Sequence, residues 1–102
     1  MFSETCIPRY ANKLTELITQ HKAVVLSSDN CVYCNKAKKL LDTQKVAYHE
    51  VSLDKLHPND SYEIVNCVFG KPEYFVPYIF YDKQRLGGFG ELRELQKKGE
   101  LD

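Results

Sequence analysis

The stretch "AVVLSSDNCVYCNKAKKLL" (residues 23–41) changes its hydrophobic rhythm halfway along. Residues 23–27 form a short apolar run rich in β-branched side chains, the mark of a buried strand. "SSDN" follows as a turn. From there Cys34, Ala37, Leu40 and Leu41 fall on one face of a helix that starts near Cys31 and runs to about Gln44. Next, "VAYHEVSLD" (46–54) alternates between apolar and polar residues, which predicts a second strand. Strand, helix and strand joined by short connections make a βαβ unit. The two strands are therefore expected to be parallel, with a right-handed crossover.

Working outward, Tyr10, Leu14, Leu17 and Ile18 fall at helical spacing and predict an amphipathic helix over 8–20. "HPNDSYEIVNCVFG" (57–70) predicts another. Pro58 lies near its start, Ile64, Val65, Val68 and Phe69 line one face, and Gly70 can stop it. "PYIFYDKQRLGG" (77–88) predicts a hairpin turning at Asp82-Lys83. A last helix begins after Gly88 and uses Leu92 and Leu95. The expected architecture is α/β: a four-stranded sheet of mixed direction with helices on both faces. At 102 residues the chain fits one domain spanning 1–102. A chain of this size buries roughly two-thirds of its unfolded surface, enough for a real core.

Lys plus Arg and Asp plus Glu both number 14, so the formal net charge is zero, which argues against nonspecific nucleic-acid binding. Lys36, Lys38, Lys39 and Lys45 read as a solvated helix face. The N-terminal "MFSETCIPRYANK" has no apolar run of signal-peptide length, and no later segment is apolar enough to span a membrane. The expectation is a soluble, monomeric protein of a reducing compartment, the cytoplasm, with its four cysteines at rest as thiols.

Cys31 and Cys34 admit four roles: metal clip, structural disulfide, core thiols or redox centre. A zinc site usually needs two close ligand pairs, and only one close pair exists. Inert burial suits Cys6 and Cys67, because free cysteine is among the most buried residue types. It suits Cys31 poorly, since a position between a polar turn and a helix start should see solvent. The first turn of a helix has free N–H groups and the positive end of the dipole, which stabilise a thiolate. Cys31 is thus the expected nucleophile. Cys34, three residues on, is placed to resolve a mixed disulfide.

With these residues in view, the sequence resembles the glutaredoxins over nearly its whole length. "CVYC" (31–34) resembles the family's dithiol site, usually CPYC. "FVPYIF" (75–80) resembles its TVPxVF segment, and "GGFGEL" (87–92) its GGxDEL. The resemblance implies a thioredoxin-like fold and glutathione as reducing partner. It implies that Cys31 forms the mixed disulfide, that Tyr33 borders the glutathione groove, and that the bond before Pro77 is cis. It further implies that the Val76 backbone pairs with the tripeptide like an added strand. The N–H groups of Phe89 and Gly90, following Gly88 at a helix start, are expected to take a carboxylate.

Four positions depart from the family pattern. Ser28 stands where the family often has a lysine that meets the glycyl carboxylate, and Asp29 follows it. Gly90 replaces the aspartate that meets the γ-glutamyl ammonium, leaving Glu91 as the candidate countercharge. Phe75 replaces the threonine of TVP, a contact made by backbone. Val32 replaces the proline of the dithiol site and restores an N–H donor beside the sulfurs. The loop "GKPEYFVP" is also two residues longer than usual, and Lys71 within it is the candidate for the missing positive charge.

The expected function is a glutathione-dependent thiol–disulfide oxidoreductase acting on protein and glutathione mixed disulfides. Reducing power would come indirectly from NADPH through glutathione reductase. The alternative is a glutaredoxin that holds or delivers a glutathione-ligated [2Fe–2S] cluster through Cys31. A thioredoxin-like reductant is disfavoured by the lack of tryptophan. "GGFG" is no dinucleotide fingerprint, because it follows no βαβ phosphate loop.

Overall fold

The computed structural model describes residues 1–101. In chain order the elements are α1 (Pro8–Gln20), β1 (Ala23–Ser27), α2 (Val32–Thr43), β2 (Tyr48–Ser52), α3 (Pro58–Phe69), β3 (Tyr78–Tyr81), β4 (Gln84–Gly87) and α4 (Phe89–Lys97). The sheet order is β2-β1-β3-β4. β1 pairs parallel with β2 and antiparallel with β3, and β3 pairs antiparallel with β4. The mixed sheet expected from the sequence is therefore present.

All five residues of β1 are buried, because the strand faces a core on each side. Val24 and Leu26 point to one core with Tyr10, Leu14 and Ile18 of α1 and with Val65, Cys67 and Val68 of α3. Ala23 and Val25 point to the other with Ala37 and Leu41 of α2 and Leu92 of α4. Strand side chains alternate between faces, so a continuous apolar run with helices packed on both sides is what such a strand requires.

Helix ends follow local chemistry. Pro8 and Pro58 occupy first-turn positions of α1 and α3, where a missing N–H costs nothing. Gly70 stops α3 in the left-handed region at φ 74°. The β3–β4 turn has Asp82 at φ 53° and Lys83 at φ 68°. Two positive φ angles in a two-residue loop match the twist of paired strands.

Two expectations need correction. The second strand is shorter than the alternation over 46–54 predicts. Val46 and Leu53 are buried on opposite sides of the sheet, and β1 offers only five partners, from Ala23↔Tyr48 to Ser27↔Ser52. Cys6 and Cys67 are not separate core thiols: they form a disulfide across 61 positions of sequence, with Cα atoms 4.4 Å apart. The N-terminal segment folds back along α3, where the Ser3 N–H donates to the Cys67 carbonyl at 2.9 Å. Asn66 Nδ2 donates to Thr5 Oγ1 at 3.0 Å. Arg85 holds the far end, with Nη2 donating to the Met1 carbonyl at 2.6 Å. Burial of Cys67 was predictable from its type; a partner so distant in sequence leaves no local signal.

Candidate active site

The end of β1 delivers the chain into the turn that carries the dithiol. Ser27 is buried, and its hydroxyl donates to Glu50 Oε2 at 2.5 Å, tying β1 to β2. Lys38 of α2 donates to the same oxygen at 2.9 Å. The Ser27 hydrogen bond, followed by that from Lys38, holds the Glu50 carboxyl below its ordinary pKa. In the turn itself the Asp29 N–H donates to Asp54 Oδ2 at 2.6 Å, and Asn30 takes φ 56°. Side-chain hydrogen bonds thus fix the approach to α2 from three elements.

Cys31 is the N-cap of α2, and its Sγ accepts the Cys34 N–H at 3.1 Å. A sulfur here receives one of the first-turn N–H groups that have no partner inside the helix. Cys31 and Cys34 form a disulfide with Cα atoms 5.2 Å apart. Their surroundings differ: Cys31 is half-buried, whereas Cys34 is fully enclosed. Cys31 is therefore the sulfur an incoming group can reach, as expected from its place after the turn. Among the described residues, no three His, Cys, Asp or Glu side chains gather as a metal ligand set.

Cys31 Sγ lies 3.9 Å from the Val76 carbonyl oxygen, and the Val76-Pro77 bond is cis. Beside it runs a groove of about 360 Å³ lined by Tyr33, Phe75, Val76, Pro77, Gly88, Phe89, Gly90 and Arg93. Tyr33 and Phe75 are about half exposed, at 56% and 53%, so two large rings stand in solvent at its walls. Tyr33 meets Phe89 with centroids 5.8 Å apart, and Lys36 Nζ sits 4.9 Å from the Tyr33 ring centre. Phe75 packs edge-on against Phe69 and Tyr78. The walls are thereby braced from behind.

Seven residues singled out in the sequence thus line one groove: Tyr33, Phe75, Val76, Pro77, Gly88, Phe89 and Gly90. Ser28, Lys71 and Glu91 are not among its lining residues. Ser28 lies in the turn before Cys31, and Lys71 is exposed on the loop after α3. The Glu91 carboxylate turns back onto the helix start, where Oε1 accepts the Gly88 N–H at 2.7 Å. The residue the sequence reading missed is Arg93. The available signal was its spacing: three positions after Gly90 on a helix places it on the same face.

A family model described as Glutaredoxin matches residues 23–85. The chain belongs to the glutaredoxin family. It is a thiol oxidoreductase of that family with a dithiol pair. Glutaredoxin 1 of Rickettsia conorii is 37% identical over 82 residues, covering 80% of this chain and 78% of the relative. The mitochondrial glutaredoxin-2 of Homo sapiens is 34% identical over 91 residues, covering 88% of this chain and 54% of that one. Among solved structures, a buckwheat glutaredoxin in complex with glutathione superposes with a TM-score of 0.80 at 26% identity, covering 97% of this chain and 89% of that one. These solved glutaredoxins have the thioredoxin-like fold that the sequence resemblance implied.

Proposed function

We propose that this glutaredoxin uses glutathione to reduce protein disulfides and glutathione mixed disulfides. The observation that carries the reading is the joining of an accessible N-cap sulfur, an enclosed second sulfur and a groove of about 360 Å³ beside them. The Cys31 thiolate attacks one sulfur of a substrate disulfide; the other sulfur leaves as a thiolate and takes a proton. The Cys34 N–H stabilises the attacking charge. With a protein disulfide, the Cys34 thiolate then attacks Cys31 Sγ and releases the second substrate thiol. Two glutathione molecules reduce the resulting Cys31–Cys34 bond and depart as glutathione disulfide. The Val76 main chain offers the tripeptide strand-like pairing, and the Tyr33 and Phe75 rings shield it from water. The glutathione complex of the buckwheat relative supports this choice of thiol.

The test is a pair of variants assayed with glutathione on two substrates. Cys31→Ser is expected to abolish turnover of both. Cys34→Ser is expected to retain reduction of a small glutathione mixed disulfide, because a second glutathione can release the product, and to lose most activity on an intramolecular protein disulfide. Equal losses on both substrates in both variants would sink the assignment. A visible absorbance band in anaerobically purified protein, lost with Cys31→Ser, would favour the cluster-holding alternative.

A further inference from the structure

We propose that Arg93 is a carboxylate-recognition residue at the α4 end of the groove. The inference rests on the glutathione reading above. Arg93 is the only charged residue among those lining the groove. It stands at the α4 end, on the face of Gly90, while the reactive sulfur lies at the Val76 end. Glutathione carries its cysteine in the middle and a carboxylate at each terminus, the γ-glutamyl carboxylate sharing its carbon with an ammonium that points away from a cation bound to the carboxylate. With the sulfur at Cys31, the arm that extends over Gly88–Gly90 ends beside Arg93. The space next to Gly90 is open, since a Cβ built there meets nothing within 4 Å.

The guanidinium is exposed and available. Its acidic neighbours are engaged elsewhere: Glu91 caps the Gly88 N–H at 2.7 Å, and Glu94 pairs with Lys97 at 3.7 Å. Arg93 makes no ion pair or hydrogen bond among the described residues. A planar fork of N–H donors fits a carboxylate in bidentate fashion. Ser28 carries no charge and Lys71 is not in the groove lining, so among the lining residues Arg93 is the one cation an anionic ligand can meet.

The experiment compares glutathione with its diethyl ester, in which both carboxylates are masked, as reductants of a small mixed disulfide. The proteins are wild type, Arg93→Gln and Arg93→Lys. Wild type is expected to show a lower KM for glutathione than for the ester. Arg93→Gln is expected to raise the KM for glutathione about two- to fivefold, the range of a solvent-exposed ion pair, while the ester's KM stays put. Arg93→Lys recovers part of the loss, and added salt moves wild type toward Arg93→Gln. A rise in both KM values alike would mark a structural role and overturn the proposal, as would no change in either. If neither thiol supports turnover while dithiothreitol does, the glutathione reading falls and this inference with it.

Discussion

Cys31 and Cys34 share a helix start but not an environment, and the chemistry depends on that difference. Residue type and spacing made the cysteine pair legible in the sequence, and the resemblance to glutaredoxin motifs implied the seven groove residues. Charge placement was less legible. Ser28, Lys71 and Glu91 were expected to define the electrostatics, yet Glu91 is spent on a backbone N–H and the other two lie outside the groove lining. Arg93 escaped notice because it follows the end of the recognisable motif at Leu92. The turn before the nucleophile still offers a place for charge. A cation there would sit close to both an anionic ligand and a thiolate. Ser28→Lys is therefore expected to lower the KM for glutathione about two- to fivefold at low ionic strength, the range of an exposed ion pair. The gain should fade as salt rises. A KM unchanged at low salt would show that the new ammonium points away from the bound tripeptide.

Among the elements, hydrophobic rhythm located the four helices and the first two strands, whereas β4, which has no fully buried residue, was located by the turn before it. Boundaries depended on partners. The end of β2 follows from the length of β1, whereas the β3–β4 turn falls at Asp82-Lys83 as the sequence predicts, with both residues at positive φ. The clamp joining β1, α2 and β2 also lies beyond periodicity, since it needs Ser27, Lys38 and Glu50 in one place. Its pH dependence has a definite sign. The Glu50 carboxyl is held below its ordinary value of 4.5 by hydrogen bonds from Ser27 and then Lys38. The stabilisation is complete above that ordinary value, where the unfolded chain is also ionised, and is lost as pH falls through the lowered value in the folded protein. Glu50→Gln should therefore lower the urea midpoint at pH 7. The gap from wild type should close on acidification below about pH 4, near the ordinary carboxyl range. A gap of constant size across that range would remove the charge from the account.

At the scale of the molecule, the two cores on opposite sides of one sheet were foreseeable from an all-apolar β1 flanked by amphipathic helices. The covalent tie from the N-terminal segment to α3 was not, because it links residues 61 positions apart. A cross-link of that span restricts the unfolded chain, typically worth about 2–4 kcal/mol. In a Cys31→Ser/Cys34→Ser background, where only the second pair remains, adding reductant is expected to lower the denaturant midpoint by a corresponding amount, and Cys6→Ser to abolish the difference. Identical midpoints with and without reductant would show that the pair carries no stability. The tie also divides the molecule in a way its sheet does not. Residues 6–67 become a closed ring that contains β1, both sulfurs of the dithiol pair, β2 and most of α3. Phe75, the hairpin and α4 hang outside it as a tail. One lip of the groove, Tyr33, thus belongs to the ring, and the others, from Phe75 to Arg93, belong to the tail. A single backbone cut within the ring leaves the protein one covalent object. A single cut in the loop over 71–77 parts the nucleophile from the surface that would grip its reductant, leaving only packing and sheet hydrogen bonds to hold the two halves of the enzyme together.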